Sequence, residues 1–341
     1  SDTTAFAGAD DLDVRWVLGT RALSLDVGQG AIRADDGETY SYSTLALAPG
    51  GSPRTLPQLG TGSGLHVLRT IDDARALRAR LGADSRLIVI GGGFIGCEIA
   101  ASARQIGASV DLVEALSAPL IRVLGPAAAA KVASLHEAQG VRLHTGAMVD
   151  GILRNAAGRL CGIRLGDGTE IEGDEIVVGI GIVPDVDWLS GSGLEIDDGI
   201  VCDNSGRTSS PGIFALGDAA RWWHDLAGAH RRIEHWTTTA DQAAAVAATI
   251  VRDAGDPAAT LVAAPYFWSD QFGVKLQGIG FIDPADEVTE LSIGDRPVLL
   301  YARDGVIRGA VGFSIPGAVM RTKALIERGA SLEEAVDLLT A

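Results

Sequence analysis

The chain has 341 residues, of which 47% are apolar, and a formal net charge of −16 from 28 Lys+Arg against 44 Asp+Glu. That length supports two or three domains with cores of their own. The acidic balance speaks against nucleic acid and anionic lipid as partners, since both need a basic surface, and no apolar run is long enough to span a bilayer.

The opening, SDTTAFAGADD, reads as a polar connection inside a larger protein or as a disordered terminus. It lacks the basic, apolar and small-residue order of a signal peptide. Short strands are expected at Val14–Leu18, Arg21–Asp26, Ala31–Ala34 and Thr39–Ser41, between turns rich in Gly and Asp. Residues 45–48 read as a buried strand ending in Pro49, Gly50 and Gly51, where the backbone must turn sharply. Thr70 and Asp73 form a capping box with a shortened acid, and Ala74, Leu77 and Leu81 give the helix behind them an apolar stripe.

The most informative stretch is 86–114, RLIVIGGGFIGCEIAASARQIGASVDLVE. Leu87 to Ile90 suits a strand buried on both faces. Gly91, Gly93 and Gly96, with Phe94 and Ile95 between the last two, then form G-x-G-x-x-G where the strand turns into a helix. Gly91 permits the tight turn, Gly93 lets the backbone approach a pyrophosphate, and Gly96 lets helix and strand pack closely. The helix N-terminus offers free N–H groups to phosphate. A second β-branched run, Ser109 to Val113, ends in Glu114, which is placed to accept both hydroxyls of an adenosine ribose and to repel a 2′-phosphate. Strand, glycines, helix, strand and terminal acid together predict an NADH site.

A helix over Pro126–Gln139, a strand at Val141–Leu143, a β-meander over 148–171 and a buried strand over Glu175–Ile180 follow, the last leading into Gly181. Residues 199–218 carry two short apolar strands and then Gly217-Asp218. A long Ala-rich helix is expected from Thr237 to Asp253. The last segment predicts strands near Lys275–Gly278, Val298–Ala302 and Gly309–Gly312, and two closing helices, the second capped by Ser331 and Glu334. Cys97, Cys161 and Cys202 are odd in number and far apart, as expected of reduced thiols in a cytoplasmic protein, and they exclude a C-x-x-C redox pair within the chain. No metal-ligand spacing and no G-x-S-x-G elbow are present.

Taken together, GGGFIGCE, VVGIGIVPD, GIFALGDAA, IEHWTTTADQ and PYFWSDQFG resemble the FAD-dependent ferredoxin reductases, the NADH-linked reductase components of oxygenase and P450 chains. The resemblance covers nearly the whole chain. It implies an α/β architecture: two Rossmann-like dinucleotide-binding domains and an α+β C-terminal interface domain. An FAD domain would occupy 1–68 with 192–262, an NAD domain 69–191, and the interface domain 263–341. Electrons would pass from NADH through FAD to a [2Fe–2S] ferredoxin. Asp218, after Gly217, matches an acid that binds a ribityl hydroxyl. Pro49 and Gly50 stand where relatives carry Thr-Gly near the FAD. Glu234, His235, Trp236 and Thr237 match backbone beside the flavin pyrimidine. Trp268 matches an aromatic near the isoalloxazine on the ferredoxin side. Glu98 matches an acid near the nicotinamide, and Ile180 and Gly181 the loop beneath that ring.

The departure from the family pattern is at the front. The first FAD fingerprint and a following Lys are absent from these residues, so the chain reads as truncated, proteolysed, or a natural variant. Several residues also admit plainer roles. Glu98 complements a helix dipole, and Asp218 suits an N-cap. His235 fits a core histidine with no proton-transfer role, and Trp268 suits packing. Trp222 and Trp223 suit packing or a homodimer patch, and Arg231 with Arg232 a solvated turn or a docking patch for an acidic partner. Two further functional readings stay open: a flavin-free NAD(H) sensor, and a reductase with a rubredoxin or quinone acceptor.

Overall fold

The computed structural model describes residues 13–252, 260–261 and 263–341. The expected opening connection and Asp253 lie outside the described residues, and the Ala-rich helix expected to reach Asp253 ends at Ile250. At the centre is a five-stranded parallel sheet in the order Leu65–Val67, Glu175–Val178, Arg86–Ile90, Ser109–Glu114, Val141–Thr145. Leu87, Ile88, Val89, Val110, Leu112, Ile176 and Val177 are fully buried in it, as parallel strands covered on both faces require. Strand order reverses at Arg86–Ile90, which lies between Glu175–Val178 and Ser109–Glu114. Such a switch point leaves a crevice outside the carboxyl ends of the strands.

Helix α1 (Ile71–Arg80) carries the expected capping box of Thr70 and Asp73. Helix α2 (Phe94–Gln105) begins at Gly93 and buries its Ala-rich face. Helix α3 (Ile121–Ala138) starts earlier than the Pro126 expected, but it kinks at Gly125, and Pro126 opens its main part. Pro fits a first helical turn, where its missing N–H has no partner to lose. The meander is present as Val149–Arg154, Leu160–Leu165 and Glu170–Glu172.

Around this unit lie smaller sheets. Leu45–Leu47 pairs in parallel with Ile213–Ala215, and Gly51–Pro53 pairs antiparallel with Ile182–Pro184. Ala220–His224 and Ala229–Arg232 form a hairpin that period-based reading missed, because Trp222, Trp223 and the charged strand 229–232 show no alternation. Helix α4 runs Trp236–Ile250. The strand expected at Val14–Leu18 is not formed: that segment has no ladder partner, and Val14, Trp16, Val17 and Leu18 are all exposed.

The C-terminal part is a five-stranded antiparallel sheet, with three short helices after it in sequence. Its edge strand Tyr266–Gln271 and an outer strand Glu287–Ile293 add to the three foreseen. One hydrophobic cluster joins this sheet to the parallel unit: Leu276, Leu299, Tyr301 and Val311 pack with Ala100, Leu124, Ala128 and Val132. The Tyr301 hydroxyl donates to the Leu124 carbonyl at 2.6 Å, at the kink of α3. The last helix is capped by Ser331 and Glu334, as expected. Among the described residues no helix is long and apolar enough to cross a membrane.

Candidate functional site

The crevice at the switch point has a volume of about 810 Å³. One wall is the dinucleotide unit, with Gly91, Gly93, Phe94, Ile95, Glu114, Ile180 and Gly181. Facing it are Glu234 and His235, and the floor includes Phe267 and Phe281. Segments distant in sequence, Gly91–Ile95 and Glu234–His235, thus meet on one cavity.

The glycines are required by contact. A Cβ on Gly96 would stand 1.9 Å from the Gly91 carbonyl oxygen, so only Gly lets α2 approach the strand this closely. Gly91 has φ +105°, and a Cβ there would stand 2.4 Å from the Gly179 oxygen. Beside Gly93 and Gly181 nothing lies within 4 Å, which leaves open approach to their backbone. Glu114 does more than the motif suggests. Its carboxylate accepts from Gly92 N–H at 2.6 Å and from Leu116 N–H at 2.8 Å, so it fixes the glycine turn as well as facing the crevice. Each oxygen keeps a lone pair for a ribose hydroxyl.

Asp218 and Gly217 do not line this crevice. Asp218 accepts from Arg69 Nη2 at 3.1 Å, and Gly217 N–H donates to Gln242 Oε1 at 2.8 Å. Arg69 also lies beside Gly50, whose hypothetical Cβ would be 3.2 Å from Nη2. Pro49–Gly50, Arg69 and Gly217–Asp218 therefore form a second cluster. Arg69 was missed in the sequence because one Arg ahead of a helix carries no periodic signal.

The 234–237 segment is held from several sides. Arg232 donates to Glu234 at 2.5 Å, to the Asp218 carbonyl at 3.3 Å and to the Asp198 carbonyl at 2.9 Å. Its side chain is only 11% exposed, so Arg232 is a clamp, contrary to the solvated turn expected. Arg231 lines the crevice and is exposed. The Thr237 hydroxyl donates to the Tyr266 carbonyl at 2.6 Å, tying α4 to the C-terminal sheet. Burial pulls His235 down to about 4, so its ring is neutral near pH 7.

Phe267 was also missed. Its ring lies 5.0 Å from Phe94 and 5.2 Å from His235, bridging the two walls. The signal was the alternation in Tyr266–Gln271, where Phe267, Ser269 and Gln271 point inward. Trp268 points outward with Trp236, 6.4 Å away edge to face, and Lys275 stands 5.8 Å from the Trp268 ring. Trp236 is 72% exposed. Glu98 does not line the crevice either: it accepts from Ser269 Oγ at 2.7 Å and Asp270 N–H at 3.2 Å. Trp222 is fully buried and donates to the Ala215 carbonyl, a packing role, while Trp223 is partly exposed. Among the described residues no cluster of three His, Cys, Asp or Glu is placed to hold a metal ion.

The model of the pyridine nucleotide-disulphide oxidoreductases matches residues 7–243, and that of the reductase C-terminal domain matches 266–338. The chain belongs to this family, in its ferredoxin-reductase group. It is 35% identical to the ferredoxin–NAD(+) reductase component of the anthranilate 1,2-dioxygenase system of Burkholderia cepacia, over 92% of this chain and 77% of that protein. It is 38% identical to a rubredoxin–NAD(+) reductase of Pseudomonas putida, over 87% and 80%. The solved covalent putidaredoxin reductase–putidaredoxin complex matches with a TM-score of 0.86 at 30% identity, over 95% of this chain and 81% of that one. The protein is thus an oxidoreductase of a reductase family that works with FAD and a nicotinamide dinucleotide. The mixed α/β architecture with a C-terminal sheet domain is the family's fold.

The residues present fit both groups. For the nicotinamide dinucleotide, Gly93 and Gly181 leave open backbone along one wall of the crevice. For the flavin, three buried polar atoms lack partners at the N-cap and in the first two turns of α4: His235 Nδ1, Thr238 Oγ1 and Gln242 Nε2. Gln242 is the residue that binds Gly217. Unpartnered buried polar atoms are rare, and these three are free to receive a polar ligand.

Proposed function

We propose that the protein is an NADH-dependent flavoprotein reductase that passes electrons to a [2Fe–2S] ferredoxin. The observation that carries this reading is the single crevice shared by Gly91, Gly93, Ile180 and Gly181 with Glu234 and His235. The dinucleotide unit 69–191 binds NADH, segments 1–68 and 192–262 hold the flavin, and 263–341 faces the partner. When bound, the flavin supplies the chemistry that accepts a hydride and returns single electrons.

The protein's own residues bind and orient. Gly93 at the start of α2 presents N–H groups to the pyrophosphate, and Glu114 accepts the ribose hydroxyls. Ile180 and Gly181 support the nicotinamide. Arg69 and Asp218, beside Gly50, hold the ribityl end of the flavin, and neutral His235 stays clear of proton transfer. Trp236 and Trp268, exposed together beside Lys275, offer the outward surface for a small acidic protein. Three free thiols, two of them buried, support a reducing, cytoplasmic setting.

The test is NADH-driven reduction of a [2Fe–2S] ferredoxin by protein loaded with FAD, followed by absorbance. Turnover that depends on both NADH and FAD is expected. Flavin-loaded protein that binds NADH but reduces no ferredoxin overturns the reading. A parallel rubredoxin titration decides the acceptor, since one relative is a rubredoxin reductase.

A further inference from the structure

On the inward face of the Tyr266–Gln271 strand, Phe267 is followed by two polar residues where a sheet packed on helices calls for apolar ones. Ser269 is 0% and Gln271 1% exposed. Opposite them, in the last turn of α3, His136 is also fully buried. The four groups form a continuous line. Glu98 Oε1 is 2.7 Å from Ser269 Oγ, Ser269 Oγ is 3.0 Å from Gln271 Nε2, and Gln271 Oε1 is 2.9 Å from His136 Nε2.

The carboxylate sets the direction of every bond. Glu98 Oε1 accepts from the Ser269 hydroxyl and from the Asp270 N–H. Ser269 then receives from the Gln271 amide nitrogen. That turns the Gln271 oxygen toward His136, which must carry its proton on Nε2. Nδ1 is left without a partner, and the ring packs edge to face with Phe272. A Gln in the line blocks proton conduction, so the chain orients and polarises. It is also a poor stabiliser, because well-packed apolar residues in place of such a buried network are often neutral or better.

Phe94 and Glu98 lie four residues apart on one face of α2, the first touching Phe267 and the second Ser269. The chain thus fixes the side of α2 that carries the glycine turn against the C-terminal sheet. We propose that His136 and Gln271 are positioning residues for the dinucleotide site, acting through Ser269 on Glu98 so that NADH binding depends on how the C-terminal sheet is seated. This rests on the reading of the crevice as an NADH site.

The experiment is direct titration of NADH by fluorescence on the full chain. It compares wild type, His136→Leu, His136→Gln, the apolar pair His136→Leu/Gln271→Met, Glu98→Ala, and Glu98→Ala combined with His136→Leu. His136→Leu and the apolar pair should weaken NADH about five- to tenfold, the upper end for a lost hydrogen bond between neutral groups. His136→Gln, which keeps a donor, should stay within about threefold of wild type. With Glu98→Ala present, His136→Leu should add less than about twofold. The apolar pair guards against a variant that fails to fold. Unchanged affinity in the apolar pair, or an equal loss with Glu98 already removed, overturns the proposal while leaving the NADH site standing. Wild type that binds no NADH overturns the site reading and the proposal with it.

Discussion

Arg69 donates to Asp218 at 3.1 Å and so joins the linker before α1 to the turn after Ile213–Ala215, 149 residues away. The Arg69 guanidinium also packs beside Gly50. It is therefore the common element of the Pro49–Gly50 and Gly217–Asp218 turns. Arg69→Ala should lower FAD retention about tenfold, as the loss of one charge-assisted contact predicts. Stability should fall by less than about 1 kcal/mol, because both side chains are partly exposed. The flavin-to-protein absorbance ratio after gel filtration and a urea midpoint measure the two effects separately.

Glu114→Ala removes the acceptor of both Gly92 and Leu116. The glycine turn then loses its brace and the ribose its partner. NADH affinity should fall by about tenfold or more, and preference over NADPH should shrink with the charge. Titrations of both nucleotides would show this, and an unaltered NADH affinity would count against Glu114 as the ribose acid.

Tyr301→Phe leaves the Leu124 carbonyl at the α3 kink buried without its donor. A cost of about 1–3 kcal/mol follows from that desolvated acceptor. Because Tyr301 and Leu124 share one hydrophobic cluster, the loss should appear in the cooperative unfolding of sheet and helix together. Separate unfolding of the C-terminal sheet, seen by calorimetry, would contradict it.

His224 and His235 are both pulled down to about 4, chiefly by burial. Their unfolded forms take up a proton near 6.5, so between about pH 6.5 and 4 the unfolded chain binds more protons than the folded one. Stability from these two groups is complete above that window and drains away as the pH falls through it. Denaturant midpoints at pH 7.5 and 5 should differ for wild type, and the difference should shrink in His224→Phe/His235→Phe.

The strand–glycine–helix–strand unit was legible because it is local, whereas the edge strand Leu65–Val67 was not foreseen. Arg86–Ile90, α2 and Ser109–Glu114 lie within thirty residues, and the contact that requires Gly96 is made to Gly91 inside that unit. The meander and both capping boxes were legible for the same reason. Val14–Leu18 failed because an apolar run becomes a strand only with a ladder partner, and no local pattern supplies one.

What the residues alone determined is the dinucleotide unit, the buried strands and the family. In these, short-range sterics and a two- or 3.6-residue period decide the outcome. What only the tertiary structure decided is which distant side chains meet. Arg69 reaches Asp218, Phe267 rather than Trp268 fills the gap between the crevice walls, and Glu98 turns to Ser269. Those pairings depend on how helix α2 and the C-terminal sheet seat against each other. That seating is set by the summed packing of a shared core, which no single stretch of sequence encodes.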